Sequence, residues 1–144
     1  MSDLTRFKDA QAYSYDAALL EIRTGRKRGH WMWYIFPQIQ GLGQSAISRH
    51  YAIANLQEAK DYLQDKILGS RLEEICRAAL EVVSNDPLEV FGYPDNLKLR
   101  SSMTLFEAAA PDNELFGKVL DKYFNGDRDT LTLNILAEQA EGIQ

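Results

Sequence analysis

Pro94-Asp95-Asn96-Leu97-Lys98-Leu99-Arg100-Ser101-Ser102-Met103-Thr104-Leu105-Phe106 is the stretch whose reading decides the fold. At 100° per residue, Leu99, Met103 and Phe106 share one face of a helix, and Leu97 and Ala108 fall almost opposite. A helix that is apolar on two sides needs neighbours on two sides, which points to a helix deep inside a helical domain. Lys98 and Ser102 line one flank, and Arg100, Thr104 and Glu107 line the other. Long cations on such a helix are costly unless they reach solvent or meet an anion. Two outcomes satisfy them: snorkelling with ion pairs to the acidic C-terminal half, or a grip by Lys98 or Arg100, with the Ser101 or Ser102 hydroxyl, on a phosphate or carboxylate.

Helical signals continue on both sides of this stretch. Tyr15 to Arg23 carries Ala18, Leu19 and Ile22 at helical spacing, with Ser14 as its N-cap and Gly25 past its end. Asn55 caps Leu56 to Leu63, and Leu68, Leu72, Ile75, Ala79 and Val82-Val83 mark a longer helix after it. Cys76 lies beside that stripe and reads as a small core residue. Asp86-Pro87 opens a short turn that ends at Gly92, and Asp95 caps a helix that runs to about Ala109 and stops before Pro111. Asn113 to Phe124 is ended by Gly126, and Asp129 caps Thr130 to Ala137. Leu131-Thr132-Leu133 also alternates like a strand, but no strand of similar strength lies nearby to pair with it. The expectation is an all-α, compact, single-domain bundle of about seven helices spanning residues 1–144.

Composition narrows the function classes. The 144 residues are 45% hydrophobic and 26% charged, which excludes a wholly disordered chain. One cysteine makes neither an internal disulfide nor a Cys-rich zinc site, and two scattered histidines give no metal-ligand spacing. No metal and no cofactor are expected. Met1 to Arg6 lacks the apolar core of a signal peptide, and no apolar run approaches the roughly 20 residues of a membrane span. These readings predict a cytoplasmic protein away from the membrane. A formal charge of −5 argues against a general nucleic-acid partner. That charge is uneven: residues 1–50 hold seven basic and four acidic side chains, whereas residues 51–144 hold nine and seventeen. The positive end centres on Arg26-Lys27-Arg28, which reads either as a solvated turn or as a local anion site.

The stretch after it, His30-Trp31-Met32-Trp33-Tyr34-Ile35-Phe36-Pro37-Gln38-Ile39-Gln40-Gly41-Leu42-Gly43, holds both tryptophans. Rings this dense would surround a helix on every side. Pro37 disfavours helical geometry at Phe36, and Gly41 and Gly43 permit a turn open to close backbone approach. His30 stands where the basic turn meets the aromatics, the polar–apolar boundary at which an acid–base histidine is sought. No G-x-S-x-G, P-loop, zincin or dinucleotide fingerprint is present. A Ser-His-Asp set assembles on paper from Ser101 or Ser102, His30 and Asp95, with no spacing that tests it.

Gly25-Arg26-Lys27, His30-Trp31-Met32-Trp33, Phe36-Pro37-Gln38, Gly41-Leu42-Gly43-Gln44-Ser45, Lys98-Leu99-Arg100-Ser101-Ser102-Met103-Thr104-Leu105-Phe106 and Asp129-Thr130-Leu131 resemble the DUF1810 proteins, a bacterial and fungal family named as a domain of unknown function. Glu58-Ala59, Tyr62-Leu63, Leu68-Gly69 and Arg71-Leu72 match as well, so the resemblance runs along nearly the whole chain. It implies a mainly α-helical fold and delivers no activity. The calpastatin label that some members carry names long, disordered, repeat-bearing inhibitors, unlike this short chain with its many core residues. Gln64-Asp65-Lys66-Ile67 stands where the family commonly has a His-Pro pair.

Two functions follow. In the first, a pocket between the two motif segments binds or hydrolyses a small anionic ligand, nucleotide or ADP-ribose-like. Lys27, Trp31, Trp33, Gln38, Lys98, Arg100, Ser101 and Ser102 hold the ligand, and His30 is the general acid–base group if chemistry occurs. In the second, the chain is a non-catalytic helical protein–protein interaction module and the same motifs are its folding core. Sequence does not decide between binder and enzyme, and it leaves the oligomeric state open.

Overall fold

The chain, here a computed structural model that describes residues 2–142, folds into helices and turns, with one isolated parallel bridge between Ile39 and Ile53. The seven predicted segments appear as α2 (Tyr15–Arg23), α5 (Leu56–Gln64), α6 (Lys66–Glu81), α7 (Pro87–Phe91), α8 (Asp95–Ala109), α9 (Leu115–Phe124) and α10 (Thr130–Ala140). Three more helices, α1 (Thr5–Ala12), α3 (Met32–Ile35) and α4 (Ala46–His50), correct the expected count to ten among the described residues. Each is silent in sequence for a physical reason. Helix α1 buries only Phe7 and Gln11, α3 is a single turn, and α4 buries nothing, so none carries an apolar stripe.

Cap chemistry sets several boundaries. Asn55 Oδ1 accepts from the Glu58 amide at 2.9 Å, and Asp65 Oδ1 accepts from the Ile67 and Leu68 amides at 3.0 Å each. Asp86 accepts from the Leu88 amide at 2.9 Å ahead of Pro87. Three expected caps are otherwise engaged, Asp129 among them, whose side chain makes no cap hydrogen bond to the backbone. The Ser14 hydroxyl accepts from the Tyr34 hydroxyl at 2.8 Å, and Asp95 lies inside the first turn of α8 with its carboxylate turned to lysines.

Helix α8 runs through the middle of the bundle. Residues 101–106 are buried without a break, because α5, α7, α9 and α10 all pack against it. Aromatic contacts spread from this helix: Phe7, Tyr62, Phe106 and Phe116 follow one another at centroid separations of 5.2, 5.3 and 5.9 Å. A second chain, Trp31, Phe36, Phe91 and Tyr123, connects the His30–Gly43 stretch to α7 and α9. A side chain at Gly69 would overlap the Leu63 carbonyl, so glycine lets α6 begin directly against the end of α5. Cys76 is fully buried against Met103, and burial pushes its thiol far above the usual range, leaving an inert small hydrophobe. No helix among the described residues is long and apolar enough to cross a membrane.

Candidate functional site

Pro37 does what its geometry dictates: α3 stops at Ile35, and Phe36 leaves the helical region at φ −124°, ψ 74°. The chain then runs extended beside residue 53. The Gln40 amide donates to the Ile53 carbonyl, and the Ile53 amide to the Gln38 carbonyl, each at 2.8 Å. Gly41 turns it at φ +108°, a conformation that favours glycine. At Gly43 a Cβ would sit 2.5 Å from Ser48 Cβ, so α4 closes directly onto the loop.

This path leads the 38–43 loop across the N-terminal half of α8, and a concavity of about 330 Å³ lies between them. Trp33, residues 38–43, Lys98, Arg100 and Ser101 all contribute to its lining. Arg49, Tyr51 and Asp129, the last at the start of α10, lie in the lining as well. The two motif segments therefore meet around an open hollow. Of the residues singled out by sequence, it is lined by Trp33, Gln38, Lys98, Arg100 and Ser101.

Lys27, His30, Trp31 and Ser102 lie outside its lining. Trp31 is 3% exposed, and its Nε1 donates to Glu21 Oε1 at 2.9 Å. The same oxygen accepts from the Arg28 and Gly29 amides at 2.7 and 2.9 Å. Burial alone opposes ionisation of Glu21, but the Gly29 and Arg28 amides and the Trp31 indole outweigh it and hold the carboxyl below its usual range. Lys27 has a side chain 6% exposed; it pairs with Asp95 at 2.7 Å, donates to the Gly29 carbonyl and lies 4.9 Å from the Trp31 ring. The basic turn is thus joined to α8 by structural contacts of residues outside the lining. His30 is exposed on the bend before Trp31, and Ser102 is fully buried with no partner for its Oγ among the described residues. The Ser-His-Asp set does not assemble: Asp95 serves Lys27 and Lys98, and Ser101 donates to Asp129.

The lining groups are loosely satisfied. Lys98 lies 3.4 Å from Asp95 and 4.4 Å from the Trp33 ring centroid. Arg100 reaches only Asp127, at 3.5 Å, whose side chain is 73% exposed. Among the described residues, neither Arg100 Nε nor Trp33 Nε1, both buried donors, has an acceptor. Three cations, Arg49, Lys98 and Arg100, face one carboxylate in the lining, so the hollow is locally positive on a protein of net charge −5. Sequence reasoning did not assign Arg49, Tyr51 or Asp129 to the site. The first two lie by a helix that carries no pattern, and Asp129 has the signature of an ordinary helix cap.

A family model described as "Protein of unknown function (DUF1810)" matches residues 1–136, and the chain belongs to that family. No curated protein matches it. Among solved structures it is similar to the conserved hypothetical protein Rv1873 from Mycobacterium tuberculosis, at 48% identity and a TM-score of 0.92. That match covers 94% of this chain and 96% of the other.

Proposed function

We propose that this DUF1810 protein binds a small anionic ligand of nucleotide type in the hollow between the 38–43 loop and α8. The observation that carries the reading is the coincidence of spare cationic capacity with unanswered donors. Arg100 has a solvent-weakened partner and a buried Nε with none, and Trp33 adds a second buried donor without an acceptor. Leaving buried donors unmade costs about 1–3 kcal/mol each, and an oxyanion that draws these two side chains a short distance into the hollow supplies acceptors for them. Trp33 and Tyr51 add aromatic surface for a base. The volume lies at the low end of the about 300–1,000 Å³ typical of ligand sites, which favours one nucleoside phosphate unit over a dinucleotide.

Binding is the activity this lining supports best. His30, the sequence candidate for acid–base chemistry, is outside the hollow, and Ser101 commits its proton to Asp129. The test is titration calorimetry with AMP, ADP and ADP-ribose, followed in parallel by tryptophan fluorescence. Saturable heat with quenching of Trp33 is expected, and Arg100→Ala should weaken it about tenfold or more, the scale of a lost charge-assisted contact. Absence of heat with every one of these ligands at millimolar concentration sinks the reading.

A further inference from the structure

The carboxylate of Asp129 does not fit a site for a bare anion. It is 7% exposed, it lines a hollow that carries three cations, and yet no Lys, Arg or His nitrogen among the described residues comes within 4.0 Å of it. Its Oδ2 accepts from the Ser101 hydroxyl at 2.8 Å and from the Thr132 hydroxyl at 2.6 Å. Its backbone amide donates to Thr104 Oγ1 at 2.9 Å. Both side-chain bonds fall on one oxygen, so the carboxylate is fixed in orientation while Oδ1 keeps its accepting capacity. A fixed, buried carboxylate beside an anion site repels the anion, and it lowers the energy of the complex only if the ligand brings hydrogen-bond donors to it.

Building on the anion-binding reading, we infer that Asp129 is a specificity-determining residue that accepts from sugar hydroxyls, so the ligand is a phosphorylated ribose. The phosphate lies toward Lys98 and Arg100, and the vicinal diol lies toward Asp129. Ser101 and Thr132 act as positioning residues: their hydroxyls hold Oδ2 and so turn Oδ1 to the ligand. A ribose phosphate supplies two adjacent donors and one anion on a single small ring. A carboxylate that accepts from both hydroxyls of a diol discriminates strongly against analogues that lack them, because its desolvation is then uncompensated. The shared chemistry is the ribose phosphate; a free sugar phosphate and a nucleotide are distinguished by whether a base adds affinity through Trp33 and Tyr51.

The experiment measures affinities of AMP, 2′,3′-dideoxy-AMP, ribose 5-phosphate and inorganic pyrophosphate for the wild-type chain and for Asp129→Asn. In the wild type, AMP should bind at least tenfold tighter than dideoxy-AMP. In Asp129→Asn this ratio should fall toward one, while pyrophosphate binds as well as before or better because a negative charge has gone. Ribose 5-phosphate binding close to AMP assigns the site to sugar phosphates; a large gain for AMP assigns it to nucleotides; either supports the inference. Equal wild-type affinities for AMP and dideoxy-AMP, with pyrophosphate still bound, overturn the role of Asp129 and leave the anion site standing. No binding by any of the four overturns both. The wild-type ratio decides even if Asp129→Asn folds poorly.

Discussion

Two tryptophans two residues apart each have over the ring a lysine that pairs with Asp95, in opposite states. Trp31 is buried, its Nε1 is answered by Glu21, and Lys27 lies against its ring while pairing with Asp95 at 2.7 Å. Trp33 has Lys98 over its ring, and that lysine approaches the same Asp95 at only 3.4 Å, while the Trp33 Nε1 has no acceptor. One Trp–Lys–Asp set is closed and the other is open, and Asp95 belongs to both. The closed set fastens the 25–31 turn to α8. The open set lies in the lining of the hollow with its interactions incomplete, as the proposed ligand site requires.

The largest effect that separates the two sets is stability. Trp31→Ala removes a fully packed indole and one of the three donors to Glu21, so unfolding free energy should fall by about 3–5 kcal/mol. Trp33→Ala empties part of a wall already open to solvent, and the loss should be under about 1.5 kcal/mol, while ligand-induced fluorescence change disappears. Denaturant unfolding of both variants checks this directly. Equal losses would break the comparison and make the open set part of the core.

A middle-sized effect tests the wall of the hollow. Gly43→Ala brings a methyl against Ser48, and because α4 buries no residue it can shift outward at little cost. Stability should change by less than about 1 kcal/mol, while affinity for AMP falls several-fold as Arg49 and Tyr51 move with α4. Unchanged affinity would show that α4 takes no part in binding.

These contrasts also explain what was legible in the sequence. Helix α8 announced its central place through apolar residues on both faces, and Asn55 and Asp86 obey simple cap rules. Pro37 and Gly41 marked the loop correctly because φ limits are local properties. The division between Trp31 and Trp33 was not legible. It depends on Glu21, ten residues upstream, and on Lys98, sixty-five downstream, and no local pattern encodes either distance. Asp129 was hidden for a similar reason: a helix-cap aspartate becomes a site residue only when Ser101 and Thr132 take its carboxylate instead of a backbone amide.

The smallest effect is a pH dependence confined to the closed set. Glu21 has its folded pKa below the unfolded value, so the unfolded chain binds the proton more readily. Its contribution is therefore present above the ordinary glutamate range and is lost as pH falls through the lowered folded value. Protonation removes the charge that the Arg28 and Gly29 amides and the Trp31 indole all point to. Stability of the wild type should decline faster than that of Glu21→Gln as pH drops from about 6 to 3, with Trp31 emission moving to the red over the same interval. Trp33 has no carboxylate on its Nε1 and should contribute no such step, so a Trp31→Phe variant should lose the emission change and keep its Trp33 signal flat. A red shift that persists in Trp31→Phe would place the titrating contact at the open set instead.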